Sequence, residues 1–186
     1  MQRNRCLKVL QFLADGWRFT RGHRMTEITL YYPAEQLRDW KLGRLHRDWY
    51  SRARTTFCDR DLSNAGGQCD RGYHFGEWFV ARHYLGRKYH VLLEKYLLPS
   101  RARALKKATE LLGQDGVDFL SRKRRLGSEL RWSPNPDLLV FKSNRYFFVE
   151  VKKDTDELSP AQKEFFPMIE DRLHCRVIVM KLKAEK

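Results

Sequence analysis

The sequence predicts an α/β fold, in which helices pack against a mixed β-sheet. Three observations support this prediction. The chain is 42% hydrophobic and 13% aromatic, a globular composition that excludes a disordered or low-complexity protein. Apolar strand-like runs alternate with helical patterns in the second half of the chain, in the order α-β-(α)-β-β-α-β. The predicted helices cover 73–85, 100–112, 117–125 and 159–173, and the predicted strands cover 89–98, 136–141, 145–152 and 176–182.

The ends of these elements carry residues that start and stop helices. Gly86 follows the first helix, and Pro99 closes the strand that comes after it. Ser100 is placed to cap the next helix. The helix at 159–173 has the most regular pattern, because one apolar stripe recurs along it at Ala161, Phe165, Ile169 and Leu173.

The first 70 residues differ from the rest and are predicted to form an N-terminal extension that ends in a flexible loop, followed by a single domain at 71–186. In the extension, 17–20 and 27–32 are β-branched and aromatic, which predicts two strands in a hairpin. Pro33 opens a predicted helix that runs through Leu37, Trp40, Leu45 and Trp49. The segment 55–72, which contains Ser63-Asn-Ala-Gly-Gly67, predicts a flexible linker or loop.

The charge of the chain favours a polyanionic partner. Lys and Arg number 37 against 23 Asp and Glu, which gives a net charge of +14. A basic surface binds nucleic acid because each neutralised phosphate releases condensed counterions. A solvated basic face without a partner is the alternative. We expect nucleic acid as the partner, and we expect no membrane and no small-molecule cofactor.

Cysteine usage and hydropathy indicate an intracellular protein. The four cysteines are scattered and include no C-x-x-C pair, so we expect reduced thiols and no structural zinc. The first fourteen residues start with basic groups but lack the apolar core and cleavage site of a signal peptide. No run approaches the ~20 apolar residues that span a bilayer. A cytoplasmic location is expected.

The stretch that carries chemistry lies in the strands 136–141 and 145–152. A two-residue turn at Ser143-Asn144 places Asp137 directly opposite Glu150, and the two-residue period of a strand puts Lys152 on the same face. Two facing carboxylates repel each other when buried. Protonation of one, neutralisation by Lys152, or a divalent cation such as Mg²⁺ or Mn²⁺ relieves the repulsion. Alternatively, the strand ends reach solvent, and these groups are ordinary surface charges.

Pro136-Asp137 and Glu150-Val151-Lys152 resemble the signature of the PD-(D/E)XK nuclease superfamily. The helix that begins at Leu158-Ser-Pro-Ala-Gln162 and the strand Val177-Ile-Val179 resemble the VRR-NUC branch of that superfamily. The resemblance implies a restriction-endonuclease-like core and a divalent-metal-dependent endonuclease. It implies metal ligands at Asp137, Glu150 and the Val151 carbonyl, and a role for Lys152 in orienting or deprotonating the attacking water.

The resemblance also implies hydrolysis of DNA to a 5′-phosphate and a 3′-hydroxyl. Relatives cut flaps or junctions in repair and recombination, and a stand-alone core often forms a homodimer. Three rivals remain at this stage. They are a restriction- or transposition-associated nuclease of the same fold, an RNA nuclease, and a non-catalytic protein that binds nucleic acid.

Two further residues have two interpretations each. Gln162 aligns with a glutamine of the VRR-NUC motif that lies beside the catalytic lysine, but Ser159 and Gln162 also form a capping box. Glu77 lies on the apolar stripe of helix 73–85 and is a candidate metal ligand and catalytic residue. A salt bridge from Glu77 to Arg82 or Lys88 is the alternative.

Basic side chains around the candidate site are expected to bind phosphates. They concentrate in the helix 100–112 and in the run that ends the second helical piece. No zinc-finger or recognition-helix signature is present, so direct base readout has no support. The candidate phosphate contacts are Arg101, Arg103, Lys106, Lys107, Arg122, Lys123, Arg124, Arg125, Lys153 and Lys163.

Overall fold

The protein is described by a computed structural model, which covers residues 25–93, 95–126 and 129–185. It is an α/β structure with a mixed five-stranded sheet and helices on both faces. The strands are β1 (Thr26–Tyr32), β2 (His90–Leu93), β3 (Lys123–Leu126), β4 (Glu129–Trp132), β5 (Leu138–Lys142), β6 (Arg145–Lys153) and β7 (Val177–Ala184). The helices are α1 (Ala34–Lys41), α2 (His46–Arg52), α3 (Asp59–Gln68), α4 (Phe75–Leu85), α5 (Ala102–Ser121) and α6 (Pro160–Leu173).

The sheet has the strand order β1-β7-β6-β5-β2, and β3 and β4 form a separate hairpin. β7 runs parallel to both of its neighbours, β1 and β6, whereas β5 runs antiparallel to β6 and β2. Leu138 pairs with Val149, which is the register that the turn at Ser143-Asn144 predicts. The predicted order α-β-(α)-β-β-α-β is confirmed for α4, β2, α5, β5, β6, α6 and β7.

The two faces of the sheet are covered by different helices because the central strands are apolar on both sides. On one face, Val149 and Leu138 pack in a cluster with α4. On the other face, Phe148 packs in a cluster with Phe165 and Ile169 of α6. Side chains alternate along a strand, so Glu150 and Lys152 lie on the α6 face with Phe148.

The N-terminal segment differs from its prediction in three places. The predicted strand at 27–32 is confirmed as β1, but it pairs with β7 at the edge of the sheet. The single helix predicted from Pro33 is wrong: Gly43 adopts φ of 72°, which ends α1 and separates it from α2. The predicted strand at 17–20 lies outside the described residues. The flexible linker predicted at 55–72 is wrong, because residues 59–68 form α3.

The elements on both sides of residue 70 share one hydrophobic core. Trp40 of α1 is fully buried, and its ring lies 5.6 Å from that of Trp78 and 6.1 Å from that of Phe75 in α4. The Phe57 ring lies 4.1 Å from the Trp78 ring. The described part of the N-terminal segment therefore packs tightly on α4. The division into an extension at 1–70 and a domain at 71–186 stays a prediction.

Three predicted boundaries after residue 85 also need correction. The strand predicted at 89–98 ends at Leu93, and a 3₁₀ turn at Pro99–Arg101 precedes α5 instead of a Ser100 cap. The interruption between the two predicted helical pieces is confirmed: α5 is broken at Gly113, where φ is 70° and ψ is 167°. The run Arg122–Arg125 does not finish a helix, because β3 begins at Lys123 and pairs with β4.

The described residues also bear on two sequence-based expectations. Cys58, Cys69 and Cys175 are free thiols, whereas Cys6 lies outside the described residues. Among the helices in residues 25–93, 95–126 and 129–185, we find none that is long and apolar enough to cross a bilayer.

Candidate active site

The candidate site lies where β5 begins and β6 approaches its end. Asp137 directly precedes β5, and its Oδ2 accepts a hydrogen bond of 2.8 Å from the backbone N–H of Val151 in β6. This contact fixes the Asp137 carboxylate against the neighbouring strand. The observed β5–β6 register continues to Asp137 opposite Glu150, as the sequence predicts. The backbone of Val151, a predicted metal ligand through its carbonyl, therefore lies beside Asp137.

Glu150 is the buried acid of the site, with only 3% of its surface exposed. Its Oε1 accepts a hydrogen bond of 2.6 Å from Gln162 Nε2 and lies 2.8 Å from Lys152 Nζ. Its Oε2 is buried and has no hydrogen-bond partner among the described residues. A buried carboxylate oxygen without a partner costs free energy, and such groups mark strained or ligand-binding positions.

Gln162 forms the predicted capping box and also contacts Glu150, whereas its catalytic role stays a prediction. Ser159 caps α6: its Oγ accepts from the Gln162 N–H at 3.2 Å, and Gln162 Oε1 accepts from the Ser159 N–H at 3.0 Å. The amide nitrogen of the same side chain donates to Glu150. Because the capping box fixes the amide oxygen, it also aims the amide nitrogen at the acid.

Burial raises the pKa of Glu150 above its usual value, and the hydrogen bond and charge of Lys152 oppose that effect. The Gln162 amide acts in the same direction as Lys152. Lys152 is itself only 14% exposed, so its ammonium group is largely removed from water. The arrangement holds an acid and an amine close together in a dry environment, which strengthens their attraction.

Tyr96 is a residue of the site that the sequence does not reveal. It is 2% exposed, and its hydroxyl donates a hydrogen bond of 3.3 Å to the carbonyl of Pro136, next to Asp137. Burial raises the pKa of Tyr96 well above its usual value, and the charges of Asp137 and Glu150 add to this shift. Tyr96 is thus a neutral donor that positions the loop before β5. No spacing in the sequence links it to Pro136.

Comparison with known families identifies the second half of the chain. Residues 98–184 match the model of the VRR-NUC domain family. This segment is similar to the VRR-NUC domain family. The family consists of PD-(D/E)XK-type nuclease domains, so the restriction-endonuclease-like fold predicted from the sequence is confirmed. No curated protein matches the chain. The matched VRR-NUC segment includes Asp137, Glu150, Lys152 and Gln162.

Glu77 lies outside the matched VRR-NUC segment, in the first turn of α4. α4 packs on the face of the sheet opposite to Glu150, and its Gly76 lies close to Val151 Cγ1. Within the described parts of the chain, no group of three or more Asp, Glu, His or Cys side chains is arranged to hold one metal ion. The structure therefore does not join Glu77 to Asp137 and Glu150 in one cluster, and its metal role remains a prediction.

Arg101 is the predicted phosphate contact that the structure contradicts. Its side chain is 3% exposed and pairs with the buried carboxylate of Asp61 in α3. Asp61 Oδ2 also accepts a hydrogen bond of 2.7 Å from the Cys58 N–H at the start of α3. A guanidinium that is buried in an internal ion pair cannot reach a phosphate, so Arg101 holds α3 against the start of α5.

The other basic candidates differ in accessibility. Arg103, Lys106, Arg122, Lys123 and Lys163 are exposed, and Lys153 is half-buried. Lys107 is half-buried, forms an ion pair of 2.9 Å with Glu110, and lies 5.5 Å from the ring centre of Phe141. Arg124 and Arg125 lie in β3, and the structure does not describe their side chains. Exposure is consistent with phosphate binding, which remains a prediction for these residues.

Proposed function

We propose that this VRR-NUC domain is a divalent-metal-dependent endonuclease that hydrolyses DNA phosphodiester bonds. The family supports a nuclease domain. The observation that carries the finer proposal is Glu150, a buried carboxylate with one oxygen held by Lys152 and Gln162 and the other without a partner among the described residues. A hard divalent cation pairs with the carboxylate charge and supplies the missing contact to this oxygen.

The donor set suits Mg²⁺ or Mn²⁺, which prefer carboxylate and carbonyl oxygens. Asp137, Glu150 and the Val151 carbonyl are the proposed ligands, and Glu77 is a further candidate. A bound divalent ion polarises a phosphate oxygen and lowers the pKa of a coordinated water. The Val151 N–H holds the Asp137 carboxylate in place, and the Gln162 amide holds Glu150, so both acids are oriented before substrate binds.

Lys152 is the proposed residue that acts on the attacking water. Its Nζ lies 2.8 Å from Glu150 Oε1, within the largely dry part of the site. From this position the amine either orients the water as a charged donor or accepts a proton from it, and the charged form stabilises the negative charge that develops on the phosphoryl oxygens. The proposed products are a 5′-phosphate and a 3′-hydroxyl. Structure-selective cutting in repair or recombination, and a homodimer that cuts two strands, belong to the same proposal.

The test compares the purified chain on supercoiled, linear, flap, junction and RNA substrates, with Mg²⁺, with Mn²⁺ and with EDTA. Lys152→Met should abolish cleavage, whereas Lys183→Met, an exposed lysine of β7, should leave it unchanged. Mn²⁺ titration by calorimetry gives a second readout, in which Asp137→Asn should weaken metal binding. Cleavage that persists in EDTA or in Lys152→Met contradicts the proposal. Binding without cleavage of any substrate would favour the non-catalytic alternative.

A further inference from the structure

The β3–β4 hairpin carries an aromatic side chain that the proposed chemistry does not use. Trp132 ends β4 and is 66% exposed, whereas Trp40, Trp49 and Trp78 are at most 5% exposed. Single exposed apolar side chains are common on protein surfaces, so the exposure of Trp132 gains meaning only from the groups around it.

A basic side chain accompanies the exposed ring. Lys123 is the cross-strand partner of Trp132, and its Nζ lies 5.0 Å from the centre of the indole ring. The hairpin sequence also contains Arg124, Arg125 and Arg131 against one acid, Glu129. An aromatic ring beside a lysine ammonium group matches the chemistry of a nucleotide, which has a flat base and an anionic phosphate.

Hydrogen bonds anchor the base of the hairpin to the rest of the domain. The N–H and the hydroxyl of Ser133 both donate to the carbonyl of Arg122, at 3.2 and 2.8 Å. Asn135 Nδ2 donates to the carbonyl of Leu120 in α5 at 3.1 Å. The segment that joins Trp132 to the acid of the site is therefore fixed to the C-terminal end of α5.

The chain between Trp132 and Asp137 limits how far the ring lies from the candidate active site. Asp137 is five positions after Trp132, and an extended chain spans at most about 3.6 Å per residue, so the two Cα atoms lie within about 18 Å. Stacked nucleotides along one strand are about 3.4 Å apart. A base on Trp132 would thus lie within about five nucleotides of a phosphate at Asp137.

A hollow beside the hairpin has room for the rest of a nucleotide. Its volume is about 460 Å³, within the range of small-molecule sites. It is lined by three basic side chains and one acidic one, together with the ring of Phe119. These residues are Asp115, Phe119, Arg122, Lys123 and Arg172. The balance of charge favours an anion such as a phosphate.

We propose that Trp132 and Lys123 form a stacking site for an unpaired nucleobase of the nucleic acid on which the domain acts. This inference rests on the proposed function and deepens it, because only an unpaired base offers a free face to the indole ring. Trp132 takes the base, and Lys123 and the hollow beside it take the neighbouring phosphates. The site tolerates any sequence, since every base has an aromatic face.

Fluorescence tests the stacking directly, in EDTA so that cleavage does not interfere. All variants carry Trp17→Phe, because residue 17 lies outside the described part of the chain. A single-stranded oligothymidine should quench the tryptophan emission, and the added change Trp132→Phe should remove the quenching. Quenching that persists with Trp132→Phe overturns the proposal.

Affinity measurements give a second readout. Trp132→Ala should raise the Kd for the single strand by 5- to 150-fold, which corresponds to about 1–3 kcal/mol of binding free energy. The Kd for a matched duplex should change less than twofold. Tyr73→Ala, which removes another exposed aromatic ring, should leave both values unchanged. Equal loss on both nucleic acids, or none, overturns the proposal. If the domain cleaves no substrate with Mg²⁺ but these results hold, the stacking site stands and the nuclease proposal fails.

Discussion

Replacing Arg101 by alanine should destabilise the fold and leave the electrostatics of nucleic-acid binding almost unchanged. The change removes one partner of the ion pair with Asp61, and both side chains are nearly fully buried. Removing one partner of a buried pair leaves an uncompensated charge and costs about 3–5 kcal/mol. In a chain of 186 residues, each kcal/mol lowers the melting temperature by about 2–4 °C, so we expect a decrease of about 6–20 °C.

Arg103→Ala is the matched control, because Arg103 is exposed and lies two residues further along the same segment. We expect its stability to remain within about 0.5 kcal/mol of the unmodified chain. If Arg103 contacts a phosphate, Arg103→Ala should reduce the slope of log K against log salt concentration for duplex binding by about 0.9. Scanning calorimetry measures the first effect, and fluorescence anisotropy over a salt series, below both melting temperatures, measures the second.

A double variant separates loss of the pair from loss of packing. Arg101→Met with Asp61→Asn replaces both charges and retains an acceptor for the Cys58 N–H, so it should recover much of the lost stability. If Arg101→Ala lowers the melting temperature by less than about 2 °C, the proposed structural role of Arg101 is refuted. A stable Arg101→Ala variant that lowers the salt slope as Arg103→Ala does would also refute it.

Three further changes test the site and the fold. Tyr96→Phe removes the hydroxyl that holds the loop before β5, and kcat should fall about fivefold with KM unchanged. Gln162→Glu keeps an acceptor for the α6 cap but places a carboxylate against Glu150, so cleavage should fall far more than in Ser159→Ala, which weakens only the cap. Burial lowers the pKa of His83 to about 4, so the unfolded state takes up the proton first below pH 6.5. Stability should then fall by about 1–2 kcal/mol between pH 7 and 4.5, after allowance for partial exposure, and His83→Gln should lack that loss in urea titrations.

The elements that local signals define could be predicted from the sequence. The turn at Ser143-Asn144 and the two apolar strands beside it fix the β5–β6 register, and this register is enough to bring Asp137 and Glu150 together. The capping box at Ser159 marks the start of α6. These features depend on neighbours in the chain, which is why their prediction succeeds.

The elements that tertiary contacts stabilise could not be predicted. α3 contains the weak helix formers Ser63, Asn64, Gly66 and Gly67, and its stability comes from the buried Ala65 and from the Asp61 ion pair with a distant arginine. Tyr96 reaches Pro136 across forty positions of sequence. β3 has a run of charges without apolar alternation, so nothing in it indicates a strand.

The edges of the central sheet limit how short a working fragment can be. Both edge strands, β1 and β2, lie outside residues 98–184, the segment that matches the family. A fragment trimmed to that segment would keep β5, β6 and β7. Its sheet would have two exposed edges with unpaired backbone N–H and C=O groups, which promote aggregation. It would also uncover the apolar face on which α4 rests. The half of the protein that matches the family is therefore expected to need the first half as a folding scaffold.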